Sequence, residues 1–249
     1  MTFSLIAREP ETGHLGVAVA SRFFAVGATI PFITPFGAIA SQALVNPVWG
    51  VEGGKLLAAG DFPETVLKTL KSKDSGHHQR QVHLMTADGQ SAGFTGNECI
   101  DWAGHKTAEN ISVAGNMLAG ERVLEDMLSC YLDTKSVPFA ERLLLAMEAG
   151  EAAGGDKRGR QSASLTIHRG EAFPWLDLRC DDDAEPLIEI RRLLDVAGER
   201  YIHFTEMMGS SANFSGHADR SRIEALIKAG EEARKAETNP SASRQFERP

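Results

Sequence analysis

Cysteine is scarce in this sequence, which has three cysteines in 249 residues, at Cys99, Cys130 and Cys180. They lie far apart and none belongs to a CxxC pair. An odd number of distant thiols does not indicate a disulfide framework, and it gives no zinc-ligand spacing. We therefore expect reduced thiols and no metal site.

Positive charge is also in short supply. The chain has 26 Lys and Arg against 34 Asp and Glu, which gives a formal net charge of -8 at pH 7. Binding to nucleic acid or to an anionic membrane draws on clustered basic residues, and the sequence shows no such cluster. We expect neither kind of partner.

Long hydrophobic runs are missing as well. No apolar run reaches the roughly 18 to 20 residues that a membrane-spanning helix needs. Near the start, Arg8 and Glu9 interrupt the apolar residues before the core of a signal peptide can form. The sequence thus predicts a cytoplasmic protein. Its 42% hydrophobic and 24% charged residues are typical of a soluble globular chain.

The first 22 residues contain two apolar segments of strand length, Phe3–Arg8 and Leu15–Ser21, on either side of a short segment with Pro10 and Gly13. This arrangement predicts a β-hairpin. Both segments are apolar on both faces, so the hairpin should lie in the interior of a sheet. A terminus held in a buried sheet is unusual and points to a function there.

The rest of the chain alternates between strands and pairs of helices. Hairpin-linked strands predict antiparallel sheets, and paired helices predict a layer on the outside of each sheet. We therefore predict a four-layer αββα sandwich of two stacked, mainly antiparallel sheets. Further strands are expected at 37–43, 80–86, 91–95, 110–117, 161–168 and 173–180, and helices at 47–59, 63–73, 121–133, 138–149 and 186–196.

The character of the sequence changes near Gly198. We predict a sandwich domain over residues 1–198 and an extension over 199–249, with one helix at 221–236 and a polar tail at 238–249. Apolar residues between Tyr201 and Phe214 are too many for a free linker, so the extension should pack on the domain or on a neighbouring subunit. This favours a homo-oligomer.

Five segments together carry a resemblance: the hairpin, Ser21–Gly27, Trp102–His105, Gly115–Leu118 and Gly154–Ser162. They resemble one family, the domain of unknown function 1028 family, which is similar to the N-terminal nucleophile (Ntn) hydrolase superfamily. The resemblance covers roughly Met1 to Val196 and implies an αββα fold related to proteasome subunits and penicillin-type acylases, with no cofactor. It implies no particular substrate.

In that superfamily, an N-terminal Thr, Ser or Cys attacks an amide carbonyl, and its own α-amine serves as the base. Here the resemblance implies Thr2 as the nucleophile once Met1 is removed. A nearby cation lowers the pKa of an amine. Arg22 would supply it, because no Lys or Arg lies between Arg22 and Lys55. Asn116 has two interpretations, as an oxyanion donor or as a helix or turn cap.

We predict a small substrate with an amide C–N bond, not a large peptide. The residues expected to bind it should converge on Thr2, with Arg22 buried or paired. They are Ser21, Asp156, Arg158, Gln161, Ser162, His105 and Trp102.

Three alternatives stay open. The segment Gly89–Gly93 matches the G-x-S-x-G pattern of serine hydrolases, with Ser91 as nucleophile and Asp101 and His105 in a permitted order, although an apparent strand follows where that pattern needs a helix. The second alternative is a non-catalytic protein that binds a small molecule or acts in an assembly. The run Asp181–Asp183 suits either a hard cation or, as we expect, the start of a helix.

Overall fold

The computed structural model describes residues 2–234, so Met1 and the predicted polar tail at 238–249 lie outside the described residues. Within the described residues the chain forms two compact units, with the boundary between Ile190 and Arg191. The helices and strands are β1 (Thr2–Arg8), β2 (Leu15–Ser21), β3 (Pro31–Thr34), β4 (Gly37–Ala43), α1 (Pro47–Ala58), α2 (Pro63–Lys73), β5 (Arg80–Thr86), β6 (Ser91–Thr95), β7 (Gly104–Ala108), β8 (Ile111–Asn116), α3 (Arg122–Asp133), α4 (Phe139–Ala152), β9 (Ser162–His168), β10 (Leu176–Cys180), α5 (Pro186–Glu199), α6 (Tyr201–Phe204) and α7 (Ser221–Arg234).

The predicted hairpin occupies the interior of a six-stranded sheet with the strand order β10-β9-β2-β1-β8-β7. All neighbouring strands are antiparallel, and the hairpin register pairs Phe3 with Ala20 and Arg8 with Leu15. Leu5, Ile6 and other residues of β1 and β2 are buried because helices cover one face of this sheet and a second sheet covers the other. The prediction of a buried hairpin is confirmed.

The second sheet has four antiparallel strands in the order β3-β4-β5-β6. It faces the first sheet through β4 and β5, while α1 and α2 pack on its outer side. The helices α3 and α4 pack on the outer side of the six-stranded sheet. The predicted αββα sandwich is therefore confirmed. The core between the sheets is apolar and includes Ile6, Val17, Val19, Ile30 and Met85.

Two strands were not predicted, β3 and β7. Pro31 begins β3, which lies at the edge of its sheet, where a missing backbone N–H breaks no ladder. β7 also lies at an edge, and its polar sequence Gly-His-Lys-Thr-Ala lacks the apolar pattern of a buried strand. Both segments become strands because a neighbour pairs with them.

The helices α1 and α2 begin as expected at prolines. The side chain of Asn46 accepts a hydrogen bond from the N–H of Val48 and caps α1, and Pro47 follows in its first turn. In the second unit, α6 contacts α7. Among residues 2–234, no helix has both the length and the apolar character that crossing a membrane requires.

Candidate functional site

Four strand ends meet at one edge of the six-stranded sheet. β1 begins at Thr2 and β8 ends at Asn116, and these two residues are paired across the strands. β2 ends at Ser21 and β9 begins at Ser162, and these are paired in the same way. The hairpin register places the two pairs side by side, so the structure brings these four residues together.

The hydroxyl of Thr2 lies inside this cluster. Its Oγ1 donates a hydrogen bond to Oγ of Ser21 at 3.3 Å, and Thr2 is only 5% exposed. Thr2 and Ser4 lie on the same face of β1, because side chains alternate along a strand. Ser4 contacts residues of the four-stranded sheet, so the Thr2 side chain also points between the two sheets.

A glycine-rich loop after α4 crosses this edge of the sheet. Gly154 and Gly155 have positive φ angles of 115° and 43°, which L-residues adopt rarely, and they turn the chain back toward β8. Asp156 then forms an isolated antiparallel bridge with Leu118. The loop is thereby held against the strand ends, with the Asp156 carboxylate buried.

Asp156 links the loop to the hairpin. One carboxylate oxygen accepts the backbone N–H of Arg22 at 2.8 Å, and the other accepts the backbone N–H of Arg158 at the same distance. The Arg158 guanidinium is 3.3 Å from the same carboxylate. Asp156 and Arg158 therefore order the loop.

The Arg22 side chain is exposed, so the expectation that it is buried or paired is wrong. Within residues 2–234 its guanidinium forms no ion pair, and its close neighbour is Gly159. The cause lies in the strand geometry: Ser21 points between the sheets, and the next residue points to the other side. Arg22 joins the site through its backbone.

Two other residues of the loop segment point elsewhere. The amide nitrogen of Gln161 donates to Asp182 at 3.0 Å. The Ser162 hydroxyl accepts the N–H of Val26 at 3.1 Å and donates to the carbonyl of Phe23, so it fixes the turn after β2. Neither of these hydrogen bonds involves Thr2.

Asn116 is buried and its amide is held from the second sheet. Its Nδ2 donates to Oε1 of Gln81 at 3.0 Å. Asn116 does not cap α3, because that helix begins only at Arg122 and has no side-chain cap. Among residues 2–234 Gln81 is the one partner of Nδ2, so its second hydrogen is open on a residue paired with Thr2 across the strands.

Gln81 belongs to a buried polar network between the sheets that the sequence analysis missed. Gln42 donates to Gln81 at 2.8 Å and accepts from Ser4 at 2.7 Å. His83 lies 2.8 Å from Ser4 and 2.9 Å from Ser112. Since the Ser4 hydroxyl donates to Gln42, it accepts from Nε2–H of His83, whose Nδ1 then accepts from Ser112. Burial, with a smaller effect of His105, lowers the pKa of His83 to about 3, so the ring is neutral at pH 7.

A cavity of about 350 Å³ opens beside the cluster. Thr2 is not among its lining residues, because Phe3, which does line it, lies on the opposite face of β1. Burial raises the pKa of Glu151 in its wall, and Arg160 partly offsets the effect. The lining residues are Phe3, Ala20, Ser21, Glu151, Gly154, Gly155, Asp156, Lys157, Gly159, Arg160 and Pro186.

Trp102 and His105 make their contacts with residues other than Thr2. The Trp102 ring packs over Gly104, where an added Cβ would lie 2.6 Å from the indole. His105 Nδ1 is 2.9 Å from the hydroxyl of Thr95, and His105 lines a different cavity.

The residues of the serine-hydrolase pattern lack the context that pattern requires. Ser91 begins β6, which follows β5 through a hairpin turn, and no helix follows it. His105 bonds to Thr95, and the Asp101 carbonyl accepts from Lys157 at 2.7 Å.

The Asp183 carboxylate accepts the N–H of Glu185 just before α5, as expected for a helix start.

A family model described as a family of unknown function, DUF1028, matches residues 2–190. A crystal structure of protein SPO2555 from Silicibacter pomeroyi, a DUF1028 protein, is 31% identical, with a TM-score of 0.82. The match covers 88% of this chain and 96% of that one. Anbu, an ancestral β-subunit from Yersinia bercovieri, is 10% identical with a TM-score of 0.39, over 79% of this chain and 94% of that one. No curated protein matches the chain significantly.

Proposed function

The chain belongs to the DUF1028 family of unknown function, and from this premise we propose that it is an amidohydrolase that uses Thr2 as an N-terminal nucleophile. The observation that carries the proposal is the position of Thr2. It begins a central strand, and its hydroxyl is 3.3 Å from Ser21 at the point where four strand ends meet. A terminus at such a place is fixed on both sides by neighbouring strands.

The reaction requires cleavage of the peptide bond that precedes Thr2. The freed α-amine, whose pKa lies near 8 in model peptides, then accepts the hydroxyl proton while Oγ1 attacks the amide carbon. The C–N bond breaks, the departing amine takes the proton, and an acyl ester remains on Thr2. Water, deprotonated by the same amine, hydrolyses the ester and releases the acid.

Asn116 supports the step in which negative charge develops on the carbonyl oxygen. Its Nδ2 uses one hydrogen for Gln81, and the second is free for the oxyanion. Because Gln81 is itself held by the buried network, the amide is oriented before the substrate binds. Arg22 has a smaller role than a buried cation would, since water screens its exposed guanidinium.

The cavity beside Ser21 suits a small substrate. Its volume of about 350 Å³ is at the lower end of ligand sites, which run from about 300 to 1,000 Å³, and excludes a folded or long peptide. Its wall holds Glu151, Asp156, Lys157 and Arg160, so the substrate should carry polar groups.

One observation favours a second candidate, a protein that binds a small molecule without catalysis. Thr2 is 5% exposed and does not line the cavity. If the bond before Thr2 stays intact, the amine has no lone pair to accept a proton, and the same cavity serves only for binding.

Intact-mass measurement on protein from its native host tests the proposal. We expect loss of Met1 and covalent labelling of Thr2 by a β-lactone probe. Thr2→Ala should remove labelling and lower amide turnover about a thousandfold or more, as loss of a nucleophile does. Thr2→Ser should retain both, and Ser91→Ala is the matched control. Quantitative retention of Met1 would refute catalysis by Thr2 and favour the binding role.

A further inference from the structure

A second cavity, of about 460 Å³, lies between α2, β6 and β7. It shares no lining residue with the cavity beside Ser21. Its wall combines two lysines, an imidazole and two hydroxyls with an apolar side. The lining residues are Glu64, Leu67, Lys68, Lys71, Ser91, Ala92, Gly93, Phe94, His105 and Thr107.

The two lysines concentrate positive charge on this wall. Lys68 and Lys71 lie on the same face of α2, because residues three apart in a helix are neighbours. Nζ of Lys71 is 4.4 Å from the centroid of the Phe94 ring, which holds it at the wall. In the described part of the chain neither lysine forms an ion pair, and Glu64 is the carboxylate of the cavity wall. Although the chain has a net charge of -8, this pair of lysines creates a locally positive surface that attracts anions.

His105 adds a polar ring of fixed orientation. The Thr95 hydroxyl lies 3.0 Å from Nε2 of Gln81 and 2.9 Å from Nδ1 of His105, and this contact fixes the imidazole beside β6. Partial burial lowers the pKa of His105, which keeps the ring neutral near pH 7.

Gly93 makes room for this imidazole. A Cβ added at Gly93 would lie 2.4 Å from Cδ2 and 3.0 Å from Nε2 of His105, so only glycine allows the ring to lie against β6. Gly93 and His105 both line the cavity.

We propose that this cavity binds a small organic anion, whose carboxylate or phosphate lies among Lys68, Lys71 and the imidazole of His105. Ser91 and Thr107 supply further hydroxyl donors, and Leu67, Ala92 and Phe94 pack on the apolar body of the ligand. Oxyanions suit this set because charge-assisted hydrogen bonds from ammonium groups are among the stronger polar contacts in proteins. The site is separate from Thr2 and does not depend on catalysis there.

Titration of the full chain with benzoate, phenyl phosphate and neutral benzamide tests the site. Binding is followed by calorimetry and by the imidazole resonances of His105. At least one of the two anions should bind about tenfold or more tightly than benzamide and shift the His105 signals. Lys68→Gln combined with Lys71→Gln should weaken the anion about tenfold or more. Lys73→Gln, on the same helix but outside the cavity wall, should leave the affinity within about twofold.

Tighter binding of either anion supports the site and identifies which oxyanion it takes. Three results would overturn it: no anion binding at 10 mM, equal affinity for benzamide, or an equal loss in the Lys73→Gln control. These outcomes do not involve turnover, so they stay distinct from the fate of the Thr2 proposal.

Discussion

The carboxylate of Asp156 accepts the backbone N–H of Arg22 at 2.8 Å, and this bond ties the glycine-rich loop to the end of β2. The same carboxylate holds the N–H of Arg158. A carboxylate that accepts several N–H bonds in a buried place contributes more than an exposed ion pair does. These hydrogen bonds therefore hold the loop against the strand β2, which ends beside Thr2.

Asp156→Asn should destabilise the protein by about 1 to 3 kcal/mol, because one of the N–H groups then faces an amide NH₂ in place of an oxygen. Urea denaturation gives the free energy of unfolding. Asp182→Asn, which changes an exposed carboxylate bonded to Gln161, should cost less than about 0.5 kcal/mol. Equal effects of the two substitutions would contradict the role of Asp156.

Substitution of Gln81 should lower the stability of the protein strongly, because this residue joins the buried polar network. Gln81→Leu keeps the volume but leaves the amide groups of Gln42 and Asn116 without their acceptor. We expect a loss of about 2 to 4 kcal/mol in unfolding free energy. Gln90→Leu, in the turn before β6, is the control and should change stability little. A small effect at Gln81 would show that the network adjusts around the loss.

Apolar patterning predicted the fold well. The hairpin Thr2–Ser21 follows directly from two runs of aliphatic residues around a turn, and β4, β5 and β6 follow from shorter, partly apolar segments between turn residues. The edge strands β3 and β7 did not carry that pattern, because one side of an edge strand faces solvent and its pairing depends on a neighbour.

The candidate site was harder to predict. Thr2, Ser21 and Asn116 follow from strand ends and hairpin register, which are local. The contact between Asn116 and Gln81 joins two different sheets, and no local pattern specifies which residues meet across them. A signal was present: Gln42, Gln81 and His83 interrupt buried strands, and buried polar residues require partners.

The predicted homo-oligomer stays a prediction, and the second unit provides a test. Phe214 is 96% exposed, and Tyr201, Phe204 and Met208 are each at least 40% exposed. If a neighbouring subunit covers them, Phe214→Ser combined with Phe204→Ser should weaken assembly, because burial of a large apolar side chain contributes about 1.5 to 3 kcal/mol. Light scattering at micromolar concentration measures the mass. A monomer for the unaltered chain would contradict the prediction.

His83 should make stability depend on pH. Burial lowers its pKa in the folded protein from 6.5 to about 3, while the unfolded chain keeps the ordinary value. Between these two pKa values the unfolded state binds a proton that the folded state does not, so the free energy of unfolding falls as pH decreases. The contribution of this group is about 1.4 kcal/mol for each pH unit below roughly 6, and it vanishes above pH 7.

Urea denaturation of the unaltered protein and of His83→Gln at pH 7, 6 and 5 measures it. Glutamine has a donor and an acceptor for Ser4 and Ser112 but does not titrate, so the variant should lose less stability between pH 7 and pH 5. Parallel pH profiles for the two proteins would contradict a neutral, buried His83.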